Sequence, residues 1–228
     1  MEKTKYSLIS WLPNFCTTLT YFFGFLAITA AANSNIEKSC FCVFFAAITD
    51  FLDGRVARMT GSESEFGAAY DSLADLIAFG LAPAIISYHF SLINLAKIGW
   101  SIAFIYATAT ALRLARFNTS EQTPGAFSGM PCPAAALFVA SFVLIAQQLG
   151  VSQIFLIVHL LLAAILQVTS IPFKHTKQVK VPAKFRLLMI LGLVLLMCLV
   201  FIYPAWVIHS LMGLYVLFSL LNFFILKK

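Results

Sequence analysis

The chain has 228 residues, of which 61% are hydrophobic and only 11% are charged, and its mean hydropathy is +0.93. Soluble domains carry about 25% charged residues, so this composition excludes an ordinary soluble protein. The net charge of +6 does not indicate a nucleic-acid partner, because the basic residues form short clusters at the ends of apolar runs rather than a basic domain.

Apolar runs of about 20 residues recur along almost the whole chain, and each is long enough to cross a hydrocarbon core of about 30 Å. We therefore predict an all-α polytopic membrane protein with about eight transmembrane helices. The predicted spans are residues 12–33, 38–60, 67–90, 96–117, 131–149, 152–171, 186–203 and 205–226.

The basic residues predict how these spans are oriented. If the N-terminus is cytoplasmic, every Lys and Arg except Lys38 and Lys97 falls on the cytoplasmic side. Because loops rich in Lys and Arg stay in the cytoplasm, this asymmetry supports an even number of spans. We expect both termini, and the polar segment between the second and third spans, to lie at the cytoplasmic face.

All the aspartates of the chain lie in one short segment, DFLDGRVARMTGSESEFGAAYDSLAD. Asp50 and Asp53 are three residues apart and share one face of the second helix, whereas Asp71 and Asp75 are four apart and share one face of the third. The polar turn between them allows the two helices to run antiparallel. We therefore expect the four carboxylates to converge near the cytoplasmic ends of these helices.

Four carboxylates in a partly dehydrated site repel one another, and acidic side chains within membrane segments usually have a function. Mg²⁺ and Ca²⁺ prefer oxygen ligands, and Mg²⁺ sites commonly combine carboxylates with substrate phosphates. Two such ions would hold a pyrophosphate and stabilise charge during phosphoryl transfer. Gly54, Ala57 and Gly67 leave room for a nucleotide, and Arg58 can pair with phosphate, although small residues also allow close helix packing.

This segment resembles the signature of the CDP-alcohol phosphotransferase family, D-G-x2-A-R-x8-G-x3-D-x3-D, starting at Asp53. Asp50 fits the extended form of the same signature. The resemblance implies a membrane enzyme with a six-helix core, usually a homodimer, that transfers a phosphatidyl or similar group from a CDP-linked donor to an alcohol and releases CMP.

The resemblance also implies roles for individual residues. The four aspartates would bind two divalent ions, Mg²⁺ or Mn²⁺ with Ca²⁺ as a further candidate, and Asp75 would be the base that takes the proton of the acceptor hydroxyl. The expected contacts with CDP are Gly54, Ala57, Arg58 and Gly67. In the first span, LPNFCTTLTYFFG resembles the family's P-N-x-x-T pattern and adds Asn14 and Thr17 to the CDP site, unless they only cap the helix.

Three further segments, RLARFN, FSGMPCPAAA and VTSIPFKHTK, resemble segments of the integral-membrane phosphatidylserine synthases within this family. Met130 replaces the usual Leu and Cys132 the usual Ser. Arg is suited to bidentate contact with a carboxylate, so Arg113 and Arg116 are candidates to bind the carboxylate of serine, with Asn118 orienting its amine. Both arginines also fit a role in topology or in binding lipid phosphate.

The resulting hypothesis is an enzyme that transfers the phosphatidyl group of CDP-diacylglycerol to L-serine and releases CMP. Its expected partners are these substrates, membrane lipids and a second copy of the chain, in a prokaryotic inner or cell membrane. Residues 1–178 would form the six-helix core and residues 179–228 a two-helix extension. The alternatives are a family member that uses glycerol 3-phosphate or inositol phosphate, and a cation transporter, for which the sequence lacks the repeats typical of that class.

Overall fold

The computed structural model describes residues 11–62, 64–119, 127–169, 171–173, 196 and 198–226. Apart from two short strands, the elements of these residues are helical, which confirms the predicted all-α polytopic membrane architecture. The helices are α1 (Leu12–Ala32), α2 (Ile36–Thr60), α3 (Glu65–Asp75), α4 (Ala82–Phe90), α5 (Ala96–Thr119), α6 (Cys132–Leu149), α7 (Gln153–Val168) and α8 (Pro204–Leu226). Of the seventh predicted span, only residues 196 and 198–203 are described.

Within the described residues, five helical segments are long and apolar enough to cross a membrane. They are Leu12–Ala32, Glu65–Phe90, Leu92–Thr119, Cys132–Leu149 and Pro204–Phe223. Helix α7 is apolar but shorter, and α2 carries the charged residues of the aspartate segment in its second half.

Helices α1 and α2 form a tight antiparallel pair. The side chain of Asn35 caps α2 by accepting a hydrogen bond from the backbone N–H of Lys38 (3.1 Å). The hydroxyl of Ser39, buried on α2, donates to the carbonyl oxygen of Ala27 on α1 (2.5 Å). This pairing places the first residues of α1 beside the last turns of α2.

The third span is not a continuous α-helix, which the sequence did not predict. A π-helical segment, Leu76–Leu81, separates α3 from α4 and begins directly after Asp75. The buried hydroxyl of Tyr106, on α5, donates to the carbonyl oxygen of Phe79 within this segment (3.1 Å). Single π turns inside helices are frequent at functional sites, and here the turn follows the last residue of the aspartate signature.

Two strands of two residues each, β1 (Phe127–Ser128) and β2 (Pro172–Phe173), pair antiparallel and join the segment before α6 to the segment after α7. The backbone N–H of Met130 also donates to the carbonyl oxygen of Leu166 (2.8 Å). Gly129 has φ +90°, and a Cβ there would lie 2.2 Å from the carbonyl oxygen of Gln167, so glycine is required at this approach. The start of α6 is therefore fixed against the end of α7.

Helix α8 packs mainly on α6. The hydroxyl of Ser141 on α6 lies 3.2 Å from Nδ1 of His209 on α8, and the ring of His209 stacks on Phe138 at 4.9 Å between centroids. His159, on α7, lies 3.2 Å from the carbonyl oxygen of Phe138 through Nε2. These histidines hold helices together within the bundle.

Gly24 tests the packing of α1 against the π-helical segment. A Cβ at Gly24 would lie 2.7 Å from Cα of Ala78, so Gly24→Ala must push the two backbones apart. We expect a loss of about 1–3 kcal/mol in stability, seen as a lower Tm of the purified protein in detergent. Gly213→Ala is the matched control, because a Cβ there meets nothing within 4 Å. An unchanged Tm for Gly24→Ala would contradict the packing.

Candidate active site

Three of the four aspartates converge at one end of the bundle. Asp50 and Asp53 come from the last turns of α2, and Asp71 comes from α3. Each offers a carboxylate oxygen, and these three atoms lie within 4.8 Å of one another. The antiparallel approach of α2 and α3, with spacings of three and four residues, produces the convergence expected from the sequence.

Asp75 is the last residue of α3, and only 9% of its surface is exposed. Its side chain is in hydrogen-bond contact with that of Asp50. Two carboxyl groups in such contact need a proton or a metal ion between them, because two bare carboxylates would repel. The four aspartates therefore form one connected cluster in which Asp75 is the most enclosed member after Asp53.

The donor atoms fit a hard divalent cation. Oδ2 of Asp53, Oδ1 of Asp71 and Oδ1 of Asp75 are buried, and none has a hydrogen-bond partner in the part of the chain that is described. A buried carboxylate oxygen without a partner is costly unless a cation neutralises it. Clustered carboxylate oxygens are the ligand set that Mg²⁺ and Ca²⁺ prefer.

A cavity of about 560 Å³ opens beside the aspartates. Asp53 and Asp71 form part of its wall, so the candidate metal ligands face this space. Every residue predicted to contact CDP also lines it: Asn14, Thr17, Gly54, Ala57, Arg58 and Gly67. The structure thus brings residues of α1, α2 and α3 into one cavity, and their binding of CDP stays a prediction.

The local structure explains the shape of the cavity. A Cβ at Gly54 would meet nothing within 4 Å, so the absent side chain leaves open space beside Asp53. A Cβ at Gly67 would lie 3.1 Å from Oγ of Ser64 and 3.6 Å from Oδ1 of Asn14, so glycine brings α3 close to α1. Nε of Arg58 donates to the carbonyl oxygen of Gly54 (2.8 Å), which folds this cation back over the cavity wall.

The first turn of α3 supplies cavity residues that the sequence did not indicate. Ser64 caps the helix by accepting from the backbone N–H of Gly67 (3.0 Å), and Ser62, Ser64 and Ala68 line the cavity. Helix N-termini attract phosphate because their N–H groups point outward. The available signal for this cap was a serine followed directly by an acidic residue, Glu65, in the first turn of a helix.

Phe117, at the end of α5, also lines the cavity, and the sequence motifs do not include it. It is the aromatic member of the cavity wall. An aromatic face at this point can stack on a nucleobase.

The predicted acceptor residues lie on the last turns of α5 and divide into two groups. Arg113 is half-buried, and its Nη1 donates to Sγ of Cys132 (3.0 Å). Asn118 is exposed and is bonded to Ser72 on α3, through Nδ2 to Oγ (3.1 Å) and through Oδ1 from Oγ (3.2 Å). Arg116 is exposed on the same helix. The amide of Asn118 therefore ties α5 to the helix of Asp71, whereas Arg113 points toward the start of α6.

Arg113 contacts the start of α6 through Cys132. Its hydrogen-bond partner Cys132 interacts electrostatically with both Asp75 and Asp50. Nε of Arg113 is buried and has no hydrogen-bond partner among the described residues. Arg113 therefore keeps an unused donor that can bind an anionic group.

Comparison with known proteins identifies the family. A family model described as CDP-alcohol phosphatidyltransferase matches residues 10–169. The chain belongs to this family. The match ends before α8 and includes all four aspartates and the residues of α5 that are predicted to bind the acceptor.

Relatives with curated names are similar over most of the chain. A CDP-diacylglycerol–serine O-phosphatidyltransferase of Helicobacter pylori strain 26695 is 36% identical over 220 residues, which cover 94% of this chain and 91% of the relative. The protein of the same name from Bacillus subtilis is 31% identical and covers 75% of this chain and 93% of its own length. An archaetidylserine synthase of Methanothermobacter thermautotrophicus is 31% identical, covering 76% of this chain and 73% of the relative.

Asp53→Asn separates metal binding from stability. Removing one of the clustered charges relieves repulsion, so we expect the metal-free variant to have a Tm equal to or above that of wild type. Mg²⁺ or Mn²⁺ should raise the Tm of wild type. At a free metal concentration of one hundred times Kd, bound metal adds about 2.7 kcal/mol to the free energy of unfolding, and the variant should gain much less. Thermal unfolding in detergent, with and without EDTA, measures both effects.

The control is Glu37→Gln, an exposed acid at the other end of α2. It should keep the full metal-dependent rise in Tm. An equal rise in Asp53→Asn would remove Asp53 from the metal site.

Proposed function

We propose that this protein transfers the phosphatidyl group of CDP-diacylglycerol to L-serine, giving phosphatidylserine and CMP. The observation that carries the proposal is the cavity beside the aspartates, because a nucleotide-sized space and a cluster of unpaired carboxylate oxygens share one wall. The names of the relatives support serine as the acceptor.

The cavity is the proposed site of the CDP part of the donor. Asn14 and Thr17 from α1 offer polar groups, Arg58 offers positive charge, and the N-terminus of α3 offers backbone N–H groups to phosphate. Gly54 leaves open space for the nucleotide, Gly67 lets α3 lie close to α1, and Phe117 offers an aromatic face to the base.

The proposed metal ligands are the four aspartates, which would hold two divalent ions, Mg²⁺ or Mn²⁺ with Ca²⁺ as a further candidate. Such ions, when bound, supply positive charge that neutralises the pyrophosphate and the developing charge on the leaving phosphate. The helices fix the positions of the ligands: α2 carries Asp50 and Asp53, and α3 carries Asp71 and Asp75. The hydrogen bonds between Ser72 and Asn118 hold α3 beside α5.

Asp75 is the proposed general base. Its Oδ1 is buried without a partner among the described residues and so is free to accept a proton. The hydroxyl proton of serine passes to this carboxylate, and serine Oγ forms a bond with the phosphorus that carries diacylglycerol. The bond from that phosphorus to the bridging oxygen breaks, and CMP leaves with this oxygen. General-base assistance of this kind is worth about 10²–10⁴-fold in rate.

Arg113 is the proposed partner of the serine carboxylate. Its buried Nε is unused, and its hydrogen-bond partner Cys132 interacts electrostatically with Asp75, so we place the serine carboxylate at Arg113 with the hydroxyl toward Asp75. Arg116 adds positive charge at the open end of the same helix. Asn118 is proposed to orient the amine only after giving up part of its bonding to Ser72.

The arrangement in the membrane is part of the proposal. The distribution of Lys and Arg favours a cytoplasmic location for both termini and for the site, where soluble serine is available. We propose residence in a prokaryotic inner or cell membrane and assembly as a homodimer. The same proposal divides the chain into a core of residues 1–178 and an extension of residues 179–228.

The acceptor is tested by CMP release from CDP-diacylglycerol in detergent or vesicles. We expect release with L-serine, its loss with EDTA, and phosphatidylserine as the lipid product by mass spectrometry. Glycerol 3-phosphate and inositol phosphate should release at least about tenfold less CMP, because their phosphate is larger and more negative than the serine carboxylate that Arg113 is proposed to bind.

The other outcomes each favour an alternative. CMP release with a phosphorylated acceptor and not with serine would favour a different member of the same family. Ion flux into vesicles without any metal-dependent CMP release would favour a cation transporter.

Asp75→Asn tests the base. Asn keeps the size of the side chain but cannot take a proton, so we expect kcat to fall by about 10²–10⁴-fold. Binding of CDP-diacylglycerol, followed by its effect on Tm, should persist. Glu65→Gln, an exposed acid on the same helix, should keep full activity. A fully active Asp75→Asn would exclude Asp75 as the base.

A further inference from the structure

The start of α6 places one thiol against the proposed acceptor arginine. Cys132 is the first residue of α6 and is fully buried. The backbone before it is fixed, because Met130 donates to the carbonyl oxygen of Leu166 (2.8 Å) and Gly129 lies against the end of α7. The contacts between the start of α6 and the end of α7 therefore fix the backbone that carries Sγ, and burial of the side chain restricts its movement.

The thiol sulfur occupies one donor of Arg113 and leaves another unused. Nη1 of Arg113 lies 3.0 Å from Sγ of Cys132, whereas Nε is buried without a hydrogen-bond partner among the described residues. Sulfur is a weak, uncharged acceptor, so this contact orients the guanidinium without neutralising it. The planar group then keeps its charge and the Nε edge for an incoming carboxylate.

The same contact bears on the aspartates. Asp75 lies within electrostatic range of Cys132, and its Oδ1 has no hydrogen-bond partner among the described residues. An arginine released from the thiol would be attracted to these carboxylates, since ion pairs strengthen where water is scarce. Such a pair would occupy both the acceptor-binding cation and the proposed base.

We propose that Cys132 is a positioning residue that holds the guanidinium of Arg113 in place for the carboxylate of the acceptor and away from Asp75. It acts through Arg113 and does not touch the reacting atoms. The proposal deepens the proposed function and rests on it for the identity of the acceptor. The contact between Cys132 and Arg113 itself does not depend on that identity.

The kinetic test compares Cys132→Ala with Cys132→Ser. Ala removes the acceptor atom, and we expect KM for serine to rise roughly tenfold, the change that corresponds to the loss of one hydrogen bond to a charged group. KM for CDP-diacylglycerol should change less than about twofold, because the cavity residues are untouched. Ser restores an acceptor atom at the same place and should return KM for serine to within about threefold of wild type.

Cys40→Ala is the matched control. Cys40 is also fully buried, but it lies ten residues before Asp50 on α2, so the substitution removes the same atom far from Arg113. It should leave both KM values unchanged. An equal rise in KM for serine in Cys40→Ala would mean that loss of a buried sulfur, and not loss of the contact with Arg113, is responsible.

A double-mutant cycle tests the contact without any substrate. The Tm values of Cys132→Ala, Arg113→Ala and the double variant should be non-additive, since the two single changes remove the same hydrogen bond. Additive Tm changes would overturn the proposal, as would coupling without any change in KM for serine. If wild type releases no CMP with serine, the proposed function fails, and the cycle still decides whether Cys132 holds Arg113.

Discussion

The repulsion among four carboxylates is the constraint on which this site depends. Asp53 and Asp75 are buried and Asp50 contacts Asp75, so the chain gathers negative charge where water cannot screen it. Helices hold such groups together only if packing elsewhere resists their separation. That packing is visible in the close approach of α1 at Gly24 to Ala78 and in the hydrogen bond from Tyr106 to Phe79. The packing of the helices around the site therefore holds the carboxylates in positions where they could bind a divalent cation.

The sequence predicted the convergence of the aspartates because it depends on local geometry. Spacings of three and four residues select one helix face each, and a short polar turn makes the two helices antiparallel. Family motifs assigned Asn14 and Gly67 to the same site. In the structure they are neighbours, since a Cβ placed on Gly67 would lie 3.6 Å from Oδ1 of Asn14. Local periodicity and motif spacing thus account for most of the cavity wall.

The rest could not be predicted because it depends on contacts distant in the chain. The π-helical segment after Asp75 requires the fit of α1 and α5 against it, which no window of the third span encodes. The hydrogen bonds between Ser72 and Asn118 join residues that are 46 positions apart in the chain. Asn118, predicted from the sequence to contact the substrate amine, therefore also links α3 to α5. Side-chain partners of this kind appear only when the helices are packed.

The proposed acceptor side of the site differs from the aspartate side in how its charge is placed. On the aspartate side, like charges lie close together, whereas the cation Arg113 is hydrogen-bonded to a neutral sulfur, which we propose keeps it from pairing with Asp75. Tyr215 on α8, a helix beyond the family match, also interacts electrostatically with Arg113. A substrate with a carboxylate and a reactive hydroxyl can bind Arg113 and approach Asp75 only while these two residues do not form an ion pair with each other. Separation of Arg113 from Asp75 is therefore as necessary to the proposed transfer as the gathering of the aspartates.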